Sequence, residues 1–184
     1  GRNMPVGTLV PVTGTAMAYR LANTLWAGMP DELLLDIALR GELATPAQIK
    51  QQAIRMVEDE KAKRGFNLFY RQWLNINELK TIQKNVEGIN FDELSRPMMD
   101  AMDFYMNSIV FDDQTPSSFE DLLSAPFVAT NNTLSIITNI SSNSEQITMQ
   151  PTAVEHGDQR TGILGQPAML SLLGHVDSTS IVHR

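Results

Sequence analysis

Apolar residues recur along most of this chain with helical spacing. The densest case is Phe66-Asn67-Leu68-Phe69-Tyr70-Arg71-Gln72-Trp73-Leu74. Counted from Ala62, its apolar side chains fall at 62, 66, 69, 70 and 73, the stripe of one helix face. Four of the twelve aromatic residues lie in these nine positions. Aromatic rings carry large apolar areas, so the stripe predicts a central buried helix with Phe69 and Trp73 as packing residues. Trp73→Ala is then expected to cost roughly 3–5 kcal/mol.

Other stretches repeat the pattern. Met17, Leu21 and Leu25 predict a helix over about 16–27, ended near Gly28. Pro30 suits the first position of a second helix, with Asp31 and Glu32 at its positive end and Gly41 as its stop. Thr45-Pro46-Ala47-Gln48 reads as a capping box opening a third helix. The charged run 58–64 interrupts the apolar pattern. Either it is a junction, with Gly65 permitting a change of direction, or one long helix spans 46–74. Residues 75–89 read as a loop or weak helix. Asn90-Phe91-Asp92-Glu93 offers another capping box, and Leu94, Met98, Ala101, Met102, Tyr105 and Ile109 continue it. Pro97 implies a kink there, or a later start capped by Ser95. The Met residues 98, 99, 102 and 106 are expected as adaptable core filler. Ser118 opens a short helix that ends before Pro126.

Beyond Phe127 the composition turns to Asn, Ser, Thr and Ile, where Leu134, Ile136, Ile137 and Ile140 suit a helical turn or a strand. Glycosylation patterns at Asn131 and Asn139 carry little weight in so Asn-rich a stretch. The predicted fold class is mainly α, a multi-helix domain followed by the start of a second, less regular unit. The predicted division is an extended arm over 1–14, a helical domain over 15–140, and a polar linker with a partial C-terminal domain over 141–184. The first residue is Gly1 and the last segment, Ile181-Val182-His183-Arg184, carries no cap or turn, so the expectation is either a fragment of a longer protein or a fold continued by a partner chain.

Charge narrows the function classes. The net charge is −7 at pH 7, which disfavours a nucleic-acid binder because phosphate binding needs a basic face. No apolar run approaches the roughly 20 residues of a membrane span. Without cysteine, a structural disulfide, thiolate-bound zinc, a thiol nucleophile and a haem-attachment motif are excluded within the chain.

Candidate chemistry gathers near the C-terminus. His156, His175 and His183, with Glu155, Asp158 and Asp177, are residue types that bind metals or act as general bases. None has the spacing of a helical metal motif, so surface or hydrogen-bonding roles outweigh that reading. His175-Val176-Asp177 is the best pair, because alternate residues of an extended segment share a side, which Thr179 would join. Arg160 and Arg184 suit an anion clamp, or pairing with nearby acids. Ser171, Ser178 and Ser180 lack a nucleophile elbow, and Gly162-x-x-Gly165 lacks the glycine density and lysine of a phosphate loop. Asp31-Glu32 and Asp112-Asp113 suit a helix start and a loop better than paired catalytic acids.

Several of these stretches, in this order, resemble a family of uncharacterised domains. Tyr19-Arg20-Leu21-Ala22-Asn23-Thr24-Leu25-Trp26 followed by Pro30-Asp31 is similar to its opening motif. Phe69-Tyr70-Arg71-Gln72-Trp73-Leu74 is similar to its "F-F-x-Q-W-L", and Phe91-Asp92-Glu93-Leu94 to a following helix start. Arg160-Thr161-Gly162-Ile163-Leu164-Gly165-Gln166 resembles the start of an adjoining C-terminal domain, and residues 178–184 resemble a later motif of that domain. The family occurs in exported proteins of planctomycetes, myxobacteria and related Gram-negative bacteria, often fused to or encoded with c-type cytochromes. The resemblance implies a periplasmic or extracellular setting linked to electron transfer. Partners would be other protein subunits, including a c-type cytochrome. No cofactor is expected within this chain, and haem is expected on a partner or fused domain.

Two functions are therefore expected. The first is a non-catalytic structural or interaction module of an exported assembly. The alternative is an enzyme domain, hydrolase or redox, whose site is completed by missing residues or a partner chain. Its candidates are His175, Asp177, Thr179, His183 and Arg160.

Overall fold

The computed structural model describes residues 12–84, 90–111, 118–138, 152–155 and 161–174. The fold is mainly α, as the apolar spacing predicts. The chain divides into two compact units, Gly1–Phe69 and Tyr70–Arg184.

In the first unit, α1 (Gly14–Trp26) packs against α2 (Glu32–Leu39) and α3 (Pro46–Val57). Thr13 caps α1 by accepting from the Ala16 N–H. The helix thus starts inside the predicted extended arm. The Thr45–Gln48 capping box forms as its local chemistry requires. Pro30 lies outside α2. The cap is Asp31, whose extended backbone lets its carboxylate accept from the Leu34 N–H at 2.8 Å. Small residues dominate the buried faces. Ala18, Ala22, Ala38 and Ala62 join Trp26, Leu34, Ile37, Leu43 and Met56 in the core.

Helix α4 (Lys61–Trp73) begins after a break at residues 58–60, so one continuous helix from 46 to 74 does not form. Gly65 is not a hinge. It sits inside α4, and a β-carbon there would lie 2.1 Å from the Leu25 carbonyl oxygen. Its missing side chain is what lets α4 approach α1 so closely. The aromatic stripe needs a matching correction. Ala62 and Tyr70 are buried, but Phe69 and Trp73 are 60% and 55% exposed. The helix forms where periodicity placed it, but its buried positions depart from the predicted stripe: Ala62, Gly65 and Tyr70 are covered, whereas Phe69 and Trp73, expected as packing residues, are not.

The second unit is built around α5 (Asp92–Val110), which packs against the 3₁₀ turn Ile76–Lys80, a strand and a C-terminal helix. Buried residues surround α5, among them Leu94, Met98, Met99, Met102, Tyr105, Met106 and Ile109. The methionines are core filler, as expected, and Ser171 Oγ donates to Met98 Sδ at 3.2 Å. The expected capping box at Asn90 is absent. Phe91 occupies the cap position without a side-chain bond, and Asn90 instead donates to the Glu93 carboxylate at 2.8 Å. Helix α5 also runs through Pro97 without starting later.

After α6 (Phe119–Ser124), the short capped helix expected there, whose box is closed by Ser118 and Asp121, the chain forms β1 (Phe127–Thr130). Leu134 and Ser135 lead into α7 (Ser135–Thr138). Strand β2 (Thr152–Glu155) pairs antiparallel with β1 in the register Phe127↔Glu155 to Thr130↔Thr152. Neither strand was legible in the sequence. The 3₁₀ turn Ile163–Gly165 and α8 (Pro167–Leu172) complete the described unit. Asn131 is buried, with its side chain accepting from the Leu134 N–H at 2.9 Å, which removes it as a glycosylation acceptor.

Candidate functional site

Three polar constellations stand out, each placed by residues of the motifs quoted above. In the first unit, the Trp26 indole N–H donates to the Met56 carbonyl at 2.8 Å. Lys61 Nζ lies 4.4 Å from the indole ring centre and the Arg55 guanidinium 5.8 Å from it. Both distances suit cation–π attraction. Arg55 also grips Asp31 through two nitrogens, at 2.9 and 3.3 Å. This pairing, aided by the Leu34 N–H, outweighs burial and holds the Asp31 carboxyl below its ordinary value of 3.8. One carboxylate therefore caps α2 and ties it to α3.

The second constellation is Tyr70, Arg71 and Asp103. The last turn of α4 presents Tyr70 and Arg71, and the middle of α5 presents Asp103. The Tyr70 hydroxyl donates to Asp103 Oδ1, and Arg71 donates to both carboxylate oxygens, with Nε to Oδ1 at 2.8 Å. Burial, reinforced by the Asp103 carboxylate, pushes the Tyr70 phenol far above its ordinary value of 10.0. Burial alone would discourage charge on Arg71, but the bonds and charge of Asp103 overcome it and hold the guanidinium more firmly protonated than usual. Chemically the cluster can donate protons and hold negative charge. It cannot supply a phenolate base near neutral pH, so the arrangement is that of a buried tie between two helices.

The third lies in the Gly162–Gln166 segment. Gly162 adopts φ +64°, and its N–H donates to the Ala125 carbonyl at 2.9 Å. A β-carbon there would fall 1.8 Å from the Leu123 carbonyl oxygen, so only glycine fits. Gln166, almost fully buried, accepts from the Ala129 N–H at 3.0 Å and donates to the Phe127 and Gly162 carbonyls at 3.0 and 3.2 Å. Both ends of this amide are satisfied, as burial demands. The motif that resembled a domain start is thus a clasp on β1. Nearby, Lys84 donates to the Gly174 carbonyl, and burial lowers its ammonium below 10.5.

His175, Asp177, Thr179, His183 and Arg160 all lie outside the described residues, as do His156, Asp158, Arg184 and Asp112-Asp113. Of Glu155, the backbone pairs in β2. Among the described residues, no group of three or more His, Asp or Glu gathers as metal ligands, and no helix is long and apolar enough to cross a membrane. Buried amide oxygens of Asn67 and Asn107 have no hydrogen-bond partner among the described residues, and they belong to different units. Sequence reasoning missed Asp103 and Gln166. Asp103 did carry a signal: an acid set between Met102 and Phe104 in an apolar helix needs a buried partner. No such signal marked Gln166, whose partners are backbone atoms nearly forty residues away in sequence.

No curated protein and no solved structure matches this chain. Residues 12–140 match a family described as "Protein of unknown function (DUF1592)", named PSD4, and the match takes in α1 through α7 with the Asp31–Arg55 and Tyr70–Arg71–Asp103 ties. The chain belongs to that family.

Proposed function

We propose that this chain is a non-catalytic structural and interaction module of an exported assembly in a Gram-negative bacterium, working in the periplasm or outside the cell and docking on other subunits, a c-type cytochrome among them. The setting rests on the motif resemblance. What carries the interaction reading is the contrast between polar and apolar side chains. The polar clusters are committed to scaffold ties, whereas large apolar side chains stand exposed on both units: Met29, Leu33 and Leu39 on the first, and Phe119, Leu123, Ile136 and Leu164 on the second. Apolar surface of this kind marks protein contact sites more often than catalytic ones.

Purification of the tagged full-length protein from its native host tests the reading. The expected result is recovery after osmotic release of the periplasm or from the medium, with a stoichiometric companion that shows the haem Soret band. Leu39→Asp, at an exposed position, should reduce that companion without lowering the melting temperature. Recovery as a lone protein in the cytosolic fraction, with haem absorbance at background, would sink the proposal.

A further inference from the structure

Helix α6 carries two large apolar side chains, Phe119 and Leu123, which are 63% and 53% exposed. They stand four residues apart, so they occupy one face. Leu164, 48% exposed, comes from the 3₁₀ turn that packs against α6. Gly162 brings that turn into backbone contact with Leu123. Two segments distant in sequence but packed on one another therefore each expose apolar side chains.

The strip is held firmly. Ser118 and Asp121 close a capping box at the start of α6, and the Gly162 N–H bonds to Ala125 at its end. Beneath it, the Tyr105 hydroxyl donates to the Leu122 carbonyl at 2.8 Å, and the Tyr105 and Phe127 rings lie 5.1 Å apart. An apolar strip on a rigid base loses little conformational entropy when it binds.

Its charge setting is one-sided. Glu120 is exposed on α6 beside the strip, while Asp121, also exposed, lies on the far side of the helix and closes the capping box with Ser118. The sequence has no lysine or arginine between Arg96 and Arg160, where it has nine acidic residues. A second copy of the chain laid on this strip would set acid against acid. A basic segment would meet complementary charge along the rim and apolar contact at the centre.

We propose that Phe119, Leu123 and Leu164 form a docking site for a basic amphipathic helix of another protein. That helix lays apolar side chains at i, i+4 spacing on the strip and sets Lys or Arg beside Glu120. The proposal rests on the interaction reading above and names the chemistry of one partner.

Panning the immobilised full chain against a display library of helical peptides tests it. Enriched peptides should pair apolar residues at i, i+4 with flanking Lys or Arg. A synthetic peptide of the enriched sequence should bind Leu123→Asp and Phe119→Ser about tenfold more weakly or worse. Glu120→Gln should weaken it about threefold, and added salt should weaken it further. Ile54→Asp, on the first unit, should leave binding unchanged, and circular dichroism confirms that each variant folds. Enrichment without a basic bias, or equal binding by Leu123→Asp, overturns the proposal. So does a dimer in sedimentation that Leu123→Asp dissociates, since the occupant is then a second copy. Loss of the haem-bearing companion in the native purification speaks against the exported, cytochrome-linked setting alone and leaves the peptide result standing.

Discussion

The two units use the same device with different materials. Each buries an aromatic side chain whose polar tip donates to a backbone carbonyl: Trp26 to Met56 in the first, Tyr105 to Leu122 in the second. Around Trp26 the helices close on alanines and on Gly65, so backbones approach and little side-chain volume fills the gap. In the second unit the core is filled by four methionines, Leu94 and Ile109 radiating from α5. Charge separates them further. The first unit has eight basic and seven acidic residues, the second six basic and fourteen acidic. Close backbone packing tolerates no added atoms, whereas a methionine core adapts to changes of shape. In the near-neutral unit Asp31, Asp36, Glu42, Asp59 and Glu60 sit in ion pairs. Among the described residues of the acidic unit, Glu78, Asp92, Glu93, Glu120 and Asp121 are exposed, where they bear on partners more than on stability.

The sharpest break in that comparison comes from the two tryptophans. Trp26→Ala should cost about 3–5 kcal/mol in denaturant unfolding, because the indole is buried and hydrogen-bonded. Trp73→Ala, at a position 55% exposed, should cost about 1 kcal/mol or less. Equal losses would show that the cover over α4 extends farther than its exposure indicates.

Asp103→Ala should cost about 3–5 kcal/mol, because it leaves Arg71 and the Tyr70 hydroxyl without their acceptor. Hydrogen exchange should then rise in α5 while α1 to α3 stay protected. Gly162→Ala follows at about 2–3 kcal/mol, since its β-carbon meets the Leu123 carbonyl. A smaller loss would mean that the Gly162 clasp yields as readily as the methionine core beside it.

Acid and alkali should pick out different units. Tyr70 and Tyr105 have phenols raised above 10.0 by burial. Their contribution is complete below pH 10 and falls as pH climbs from there toward the raised folded values, by about 1.4 kcal/mol per pH unit for each tyrosine. Asp31 is the reverse. Its folded value lies below 3.8, so its contribution is present above that pH and disappears as pH drops through the folded value. The Asp31 effect should be the smallest, about 1 kcal/mol or less. Tyr70→Phe should flatten the alkaline loss, and Asp31→Asn the acid one, in melting curves taken across pH.

What the sequence revealed was what depends on neighbours. The Thr45–Gln48 and Ser118–Asp121 boxes involve residues three apart, and both form. The helical class followed from periodicity for the same reason. Strand pairing did not, because Phe127 and Glu155 meet across 28 positions through four-residue strands too short to show alternation. Periodicity predicted the helix α4 but not which of its apolar residues are covered: Tyr70 is buried, whereas Phe69 and Trp73 on either side of it are exposed. At the polar clusters, Tyr70 and Arg71 were visible as a motif, but their partner Asp103 lies more than thirty residues away. The candidate ligands His175, Asp177, Thr179, His183 and Arg160 fall outside the described residues.

The Gln166 clasp bears on what happens when the covalent chain is cut. Two hydrogen bonds from the Gln166 amide to β1, four paired residues of β2 and the packing of α8 on α5 hold residues 152–155 and 161–174 to the rest of the unit without help from the peptide bonds that precede them. A protease site introduced between Thr138 and Thr152 should therefore yield two pieces on a denaturing gel that still travel as one particle on a native gel. With Gln166→Ala they should come apart, so this one side chain decides whether a cut chain survives as a complementing pair of fragments.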